Sequence, residues 1–412
     1  MKDFEESIHA AGGGMLLPLS RDEFERGQPG YYCENKQVLA VSLRDFGLTG
    51  LPESLGQLSS LRLLDLSGNR LSALPEALAN LAYLQKLDLD ENELTTLPDW
   101  IGGLAALETL NCTANRLASI PQEIGRLGVL KELSLRGNQL SSLPASFWQL
   151  NGLQTLFLGE NPFRVLPEQI GDLKNLTHLY IHSMQLAAVP DSIGNLSRLS
   201  VLDLGHNQLA ALPESLGSLS GLTILYLSNN RLTALPETLW DLAGLIYLNL
   251  TDNQLRSLPE GIGRLTELQE LRLYNNQLTA LPESLGNLTN LKELHLMNNR
   301  LAALPASVGD LTALKKLGLM DNQLATLPET IGRLAELKSL DLRNNRLTTL
   351  PESIGRVSSL SELDLRANRL TYLPAALADL PVLEKLDLRW NKLASIPDWL
   401  NATQLRGCTV FI

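Results

Sequence analysis

Four of the five histidines and four of the eight tyrosines in this 412-residue chain fall between residues 178 and 295. Imidazoles bind metals and exchange protons near neutral pH, and tyrosine joins an apolar ring to a polar tip suited to interfaces. Metal chemistry is the first use to weigh. On an extended strand His178 and His182 would stand ~13 Å apart and could not hold one ion. His182 could meet His206, but no cysteine supports them, and Glu160 and Asp203 are the nearest acids in the alignment. No metal site is therefore expected. A protonation-sensitive contact near pH 6 is a better use of clustered imidazoles. G-x-x-x-x-G-K-[ST], G-x-S-x-G and H-E-x-x-H are all missing from the sequence, so no catalytic residue and no cofactor is expected.

Composition narrows the classes further. The net charge of −11 and a pI near 5.1 disfavour nucleic acid or an anionic membrane as partner, since both need basic surface. No apolar run approaches the ~18 residues of a membrane span. The first residues, "MKDFEESIHAAGGGMLLPLS", mix acids into too short an apolar core for a secretory signal. Cys33, Cys112 and Cys408 are widely separated and odd in number, so they build no disulfide framework. Cys112 takes an inward leucine's place as a core thiol. A reducing cytoplasm is the expected location.

The elements that must position these side chains come from a repeat. Asn69, Asn92, Asn115, Asn138, Asn161, Asn207, Asn230, Asn253, Asn276, Asn299, Asn322, Asn345, Asn368 and Asn391 lie on a 23-residue grid, on which Phe46 and Met184 replace asparagine. From Phe46 to Asn391 the grid takes 15 steps and so holds 16 repeats. A typical unit reads L-x-x-L-x-L-x-x-N-x-L-x-x-L-P-x-x-[LI]-G-x-L-x-x. In L-x-x-L-x-L the leucines alternate with polar residues, which predicts a short strand with leucine inward. One such strand has no core of its own, and stacking parallel strands ~4.8 Å apart supplies one. The asparagine follows the strand, where its amide can bond backbone groups exposed by the turn and form a ladder. Proline then sits six residues after every grid position, from Pro52 to Pro397, and an acid follows it in 12 of 16 repeats. That acidic stripe is expected to favour a first helical turn rather than to bind anything. The returning segment allows only a turn or two of helix or 3₁₀ helix. The expected fold is therefore α/β: a solenoid with a concave parallel sheet and short convex helical segments, curved into a horseshoe.

This 23-residue motif resembles the leucine-rich repeat family over roughly residues 38 to 400. Its L-P-x-x-[LI]-G-x-L form is similar to that of cytoplasmic Ras-binding repeat scaffolds, plant intracellular Ras-group-related repeat proteins, the repeat regions of Roco GTPases, and many bacterial repeat proteins. The resemblance implies a protein-interaction scaffold, with a small GTPase or other signalling protein on the concave sheet, or a bacterial effector or adaptor. The alternative it implies is the recognition module of a larger enzyme, such as a Roco GTPase or a repeat-containing ubiquitin ligase.

The expected organisation is a partly helical cap over residues 1–37, the array over 38–400, and a terminal strand or cap over 401–412. The flanks are too short for a catalytic domain. "SRDE", Ser20 to Glu23, reads as a capping box opening a short helix. Leu405, Cys408 and Val410 lie 22 residues after Leu383, Leu386 and Leu388 and are expected to form the last strand.

Outward strand positions in early repeats are small or charged. In the last three, Asp341, Asp364 and Asp387 stand beside Arg343, Arg366 and Arg389, a self-neutralising strip. The middle repeats place Phe157, His178, Tyr180, His182, Val201, Ile224, Tyr226, Tyr247, Tyr274, His295, Met297 and Met320 outward, with His206 at the corner. Such rings can pack along the sheet as neighbouring-strand pairs, or form an interface. We take them as the expected protein-binding patch. Met184, following the "ENPF" segment, is expected to mark a local irregularity. Trp148 and Trp240 take the place of the convex glycine and are expected to pack on the outer shell.

Overall fold

The computed structural model describes residues 16–412, so the expected cap falls partly outside the described residues. The chain divides into two compact units, Met1–Asp203 and Leu204–Ile412.

The first unit opens with strand β1 (Pro18–Leu19) and helix α1 (Arg21–Glu25). The capping box is present: Glu23 N–H donates to Ser20 Oγ at 3.3 Å, and Ser20 N–H to Glu23 Oε2 at 2.8 Å. Strands β2 (Gly30–Glu34) and β3 (Gln37–Ser42) then form an antiparallel hairpin. Its turn residues Asn35 and Lys36 both have positive φ (50° and 66°), the geometry of tight hairpin loops. β2 pairs along the edge of β3 that would otherwise lack a neighbour. From β3 onward the pairing is parallel with a constant 23-residue offset, Leu64↔Leu87↔Leu110↔Leu133↔Leu156↔Leu179↔Leu202. These leucines are buried almost completely, as is Cys112, whose thiol burial pushes to a much higher pKa.

The second unit repeats the scheme as Leu225↔Leu248↔Leu271↔Leu294↔Leu317↔Leu340↔Leu363↔Leu386. Its last strand differs from expectation. Thr409–Phe411 pairs as Leu386↔Val410, an offset of 24, and Leu405 belongs to helix α2 (Trp399–Leu405) instead of a strand. The seven-residue helix replaces the five-residue 3₁₀ segments of other coils, so the return path takes one more residue.

Those 3₁₀ segments run in step through both units, from Glu53–Gln57 to Ala375–Asp379. Each follows an extended proline, as at Pro52 (φ −73°, ψ 144°), whose ring fixes φ where the return begins. The acids after proline stand in the first turn of these segments, as expected, and some of them also reach the next coil. Glu168, Glu260 and Glu283 accept the backbone N–H of Ser192, Ser284 and Ser307 in the next coil at 3.1, 2.9 and 3.1 Å. They tie coils together.

The ladder asparagines do the same inside. Asn115 Nδ2 donates to the Leu89 carbonyl at 2.8 Å in the previous coil and to those of Cys112 and Thr113 in its own, while its Oδ1 accepts the Leu94 N–H at 3.0 Å. The residue before each grid position takes positive φ, as at Glu91, Ala114, Asn229 and Trp390. At Met184 the corner changes. Ser183 and Gln185 both have positive φ (57° and 63°), and Met184 between them is fully buried. One coil earlier Pro162 has no N–H to reach back as Gln139 does to the Leu117 carbonyl (2.9 Å). The irregularity falls where the sequence placed it.

Candidate functional site

In the first unit, strand alternation sends Leu156 and Leu179 inward and their neighbours outward. Phe157 and Tyr180 are register partners and stack with centroids 4.6 Å apart and planes within 5°. His178 lies 6.5 Å from Tyr180 at 19°, its Nδ1 2.9 Å from Thr177 Oγ1. His182 rests over Gly159, and its Nδ1 is 3.3 Å from Ser183 Oγ. These four residues are half-buried, while Val201 is buried. The Phe157 and Tyr180 rings cover one another's faces.

In the second unit Tyr226 and Tyr247 pack at 5.0 Å with a 48° tilt, and the Arg272 guanidinium lies 5.7 Å above the Tyr247 ring. Burial pushes the Tyr247 hydroxyl above its ordinary pKa, opposed by Arg272. Ile224, Tyr274, Met297 and Met320 are half-buried on the same face. His206 is exposed at a positive-φ corner, where the sequence put it, its Nε2 3.4 Å from Asn229 Nδ2. One expected contact is placed differently. His295 is only 6% exposed, its Nε2 turned onto Glu293 Oε2 at 2.9 Å. A carboxylate two residues away on the same face draws the imidazole down, so His295 is not the open contact expected.

That pair belongs to a cluster that the sequence reading missed. One ligand atom from each of Glu270, Glu293 and His295 lies within 4.8 Å of the other two. The available signal was acid in the same outward column of two consecutive repeats, followed by histidine two residues along.

The Asp/Arg strip is self-neutralised. Arg343, Arg366 and Arg389 each bond the aspartate two residues before them at 2.6 Å. Arg343 and Arg366 also reach the aspartate of the next strand, at 3.5 and 3.3 Å. Burial raises the pKa of Asp387, but bonds from Arg389 and the charges of Arg389 and Arg366 outweigh it and hold the carboxyl below its ordinary value.

On the outer side, a Cβ at Gly56 would collide with the Ala77 backbone, so coils approach closely there. Trp240 replaces this glycine and is fully buried, because the next coil offers Gly261 beneath its ring. At the matching place after Trp148 stands Gln169, and the two border a cavity of about 610 Å³ with Phe163 and Val165. No described helix is long and apolar enough to cross a membrane.

Residues 190–304, 236–326 and 305–407 match the family described as "Leucine-rich repeat region", and residues 72–117 and 107–163 match "Leucine rich repeat". A leucine-rich repeat protein of Leptospira interrogans is similar to this chain at 32% identity, with a TM-score of 0.79, covering 97% of this chain and 100% of that one. A TDR receptor is similar at 33% identity and a TM-score of 0.70, over 86% of this chain and 68% of its own. The Arabidopsis receptor kinase HAESA, in complex with the peptide hormone IDA and the co-receptor SERK1, is similar at 28% identity and a TM-score of 0.62, over 93% and 75%. A search of curated proteins finds no significant match.

Proposed function

This chain belongs to the leucine-rich repeat family, and on that premise we propose that it is a non-enzymatic interaction scaffold that receives a folded protein partner on the outward face of its strands. The observation carrying this reading is the pair of aromatic groups, Phe157 with Tyr180 and Tyr226 with Tyr247. Rings stacked on a strand face are held rigid, which lowers the ordering cost of binding. HAESA, a similar protein, binds a peptide hormone and a co-receptor. A small GTPase or another signalling protein is the partner class that the motif suggests. The three unpaired cysteines support a role in a reducing cytoplasm.

Affinity capture with wild type, a Phe157→Ala/Tyr180→Ala variant and a Tyr226→Ala/Tyr247→Ala variant tests the reading, with circular dichroism checking the fold of each. A partner held by wild type is expected to be lost or reduced about 10-fold or more in at least one variant, as for an interface hot spot. Equal recovery by all three would refute the assignment.

A further inference from the structure

Glu270 and Glu293 face each other in register on neighbouring parallel strands, and His295 follows Glu293 on the same outward face. Like charges placed directly opposite destabilise a sheet unless something between them offsets the repulsion. Two cations flank the trio. Arg272 Nε donates to Glu270 Oε1, and Lys316 Nζ stands 4.0 Å from Glu293 Oε2. Arg272 engages one Glu270 oxygen and leaves the other, as an outer partner that orients a ligating carboxylate does. Lys316 is loosely held, its side chain 54% exposed, and can swing away. His295 is nine-tenths buried, its Nε2 lies 2.9 Å from Glu293 Oε2, and one ligand atom of each of the three residues lies within 4.8 Å of the other two.

We propose that Glu270, Glu293 and His295 form a binding site for a divalent transition-metal cation of the zinc type, with a remaining coordination position left to water. Two carboxylate oxygens and one imidazole nitrogen, each on a different side chain, suit a borderline cation that takes four ligands. Calcium is a poor fit, because it takes six to eight oxygens and three side chains do not supply them. Binding would replace the repulsion between Glu270 and Glu293 with attraction to a shared cation. The site does not depend on which protein occupies the aromatic face.

Isothermal titration of the metal-stripped full chain with zinc tests this. One equivalent is expected to bind, with a rise in melting temperature that a chelator reverses. Glu270→Gln and Glu293→Gln preserve shape while removing charge, and each is expected to weaken binding by at least ~10-fold, the loss that even an outer-shell change can produce. Their melting in metal-free buffer verifies folding independently of His295→Ala, whose cavity could itself destabilise the chain. A His178→Ala/His182→Ala/Cys33→Ser control is expected to bind zinc like wild type. No one-equivalent binding, unchanged affinity in both glutamine variants, or loss of binding in the control alone would overturn the proposal.

Discussion

A ladder asparagine closes bonds that no other side chain of its size could close together. Asn115 satisfies buried backbone groups of two coils at once through both ends of its amide. Asn115→Ala orphans the buried Leu94 N–H and leaves the Leu89 carbonyl with only its longer bond from Asn92. It is expected to cost about 2 kcal/mol or more, since each buried group left unpaired costs roughly 1–3 kcal/mol. The urea midpoint measures this, and a shift no larger than that of an ordinary surface substitution would contradict it. Asp88 makes a different demand. Burial raises its pKa, and nearby Asp65 raises it further against the hydrogen bond from Asp90 and the charge of Lys86. Its charged form therefore disfavours the folded state at any pH above its raised pKa, and the penalty fades as pH falls through that value. Asp88→Asn is expected to raise the melting temperature near neutral pH and to lose that advantage in acid. A larger gain in acid than at neutrality would reverse the sign argued here.

At the scale of elements, the sequence was informative where it repeats and silent where it does not. The strand, corner, proline and 3₁₀ segment follow from a 23-residue register that fixes the inward leucines, and the disturbed corner at Met184 follows from its broken pattern. The hairpin of β2 and β3 carried only a local signal, an aromatic run ending in "ENK", and the terminal helix none that the 22-residue spacing could reveal. The acids after proline stand in a first turn as read, but a periodic stripe did not show that some of them also reach the next coil. Trp240 tests how closely coils fit. Its ring lies where a Gly261 side chain would begin. Gly261→Ala is expected to cost about 1–3 kcal/mol, as overpacking does, and Trp240→Gly in the same chain is expected to make that alanine nearly neutral. Equal cost of the alanine in both backgrounds, in a double-mutant cycle of melting temperatures, would show that the ring and the glycine are not coupled.

For the whole molecule, each of the two units combines a structural interior with one aromatic group on its strand face, Phe157 and Tyr180 in the first and Tyr226 and Tyr247 in the second. The residue types of this candidate site were legible in the sequence, since alternation says which side chains point outward. Their burial was not, because it depends on neighbours 23 residues away: Tyr180 on Phe157, Arg272 on Tyr247 and Glu270 beside Glu293. That dependence also hid the Glu270, Glu293 and His295 cluster, whose glutamates share one column of the repeat while its histidine belongs to another. The central claim is that a protein partner lies against the strand face and not against the outer turns. Photo-crosslinking from single substituted positions tests it most directly, with the crosslinker at Thr155, an outward position of the strand ending in Phe157, or at Val129, an exposed residue in the turn before a strand. The account predicts that the captured partner is crosslinked from Thr155 and not from Val129; crosslinking from Val129 alone would contradict it.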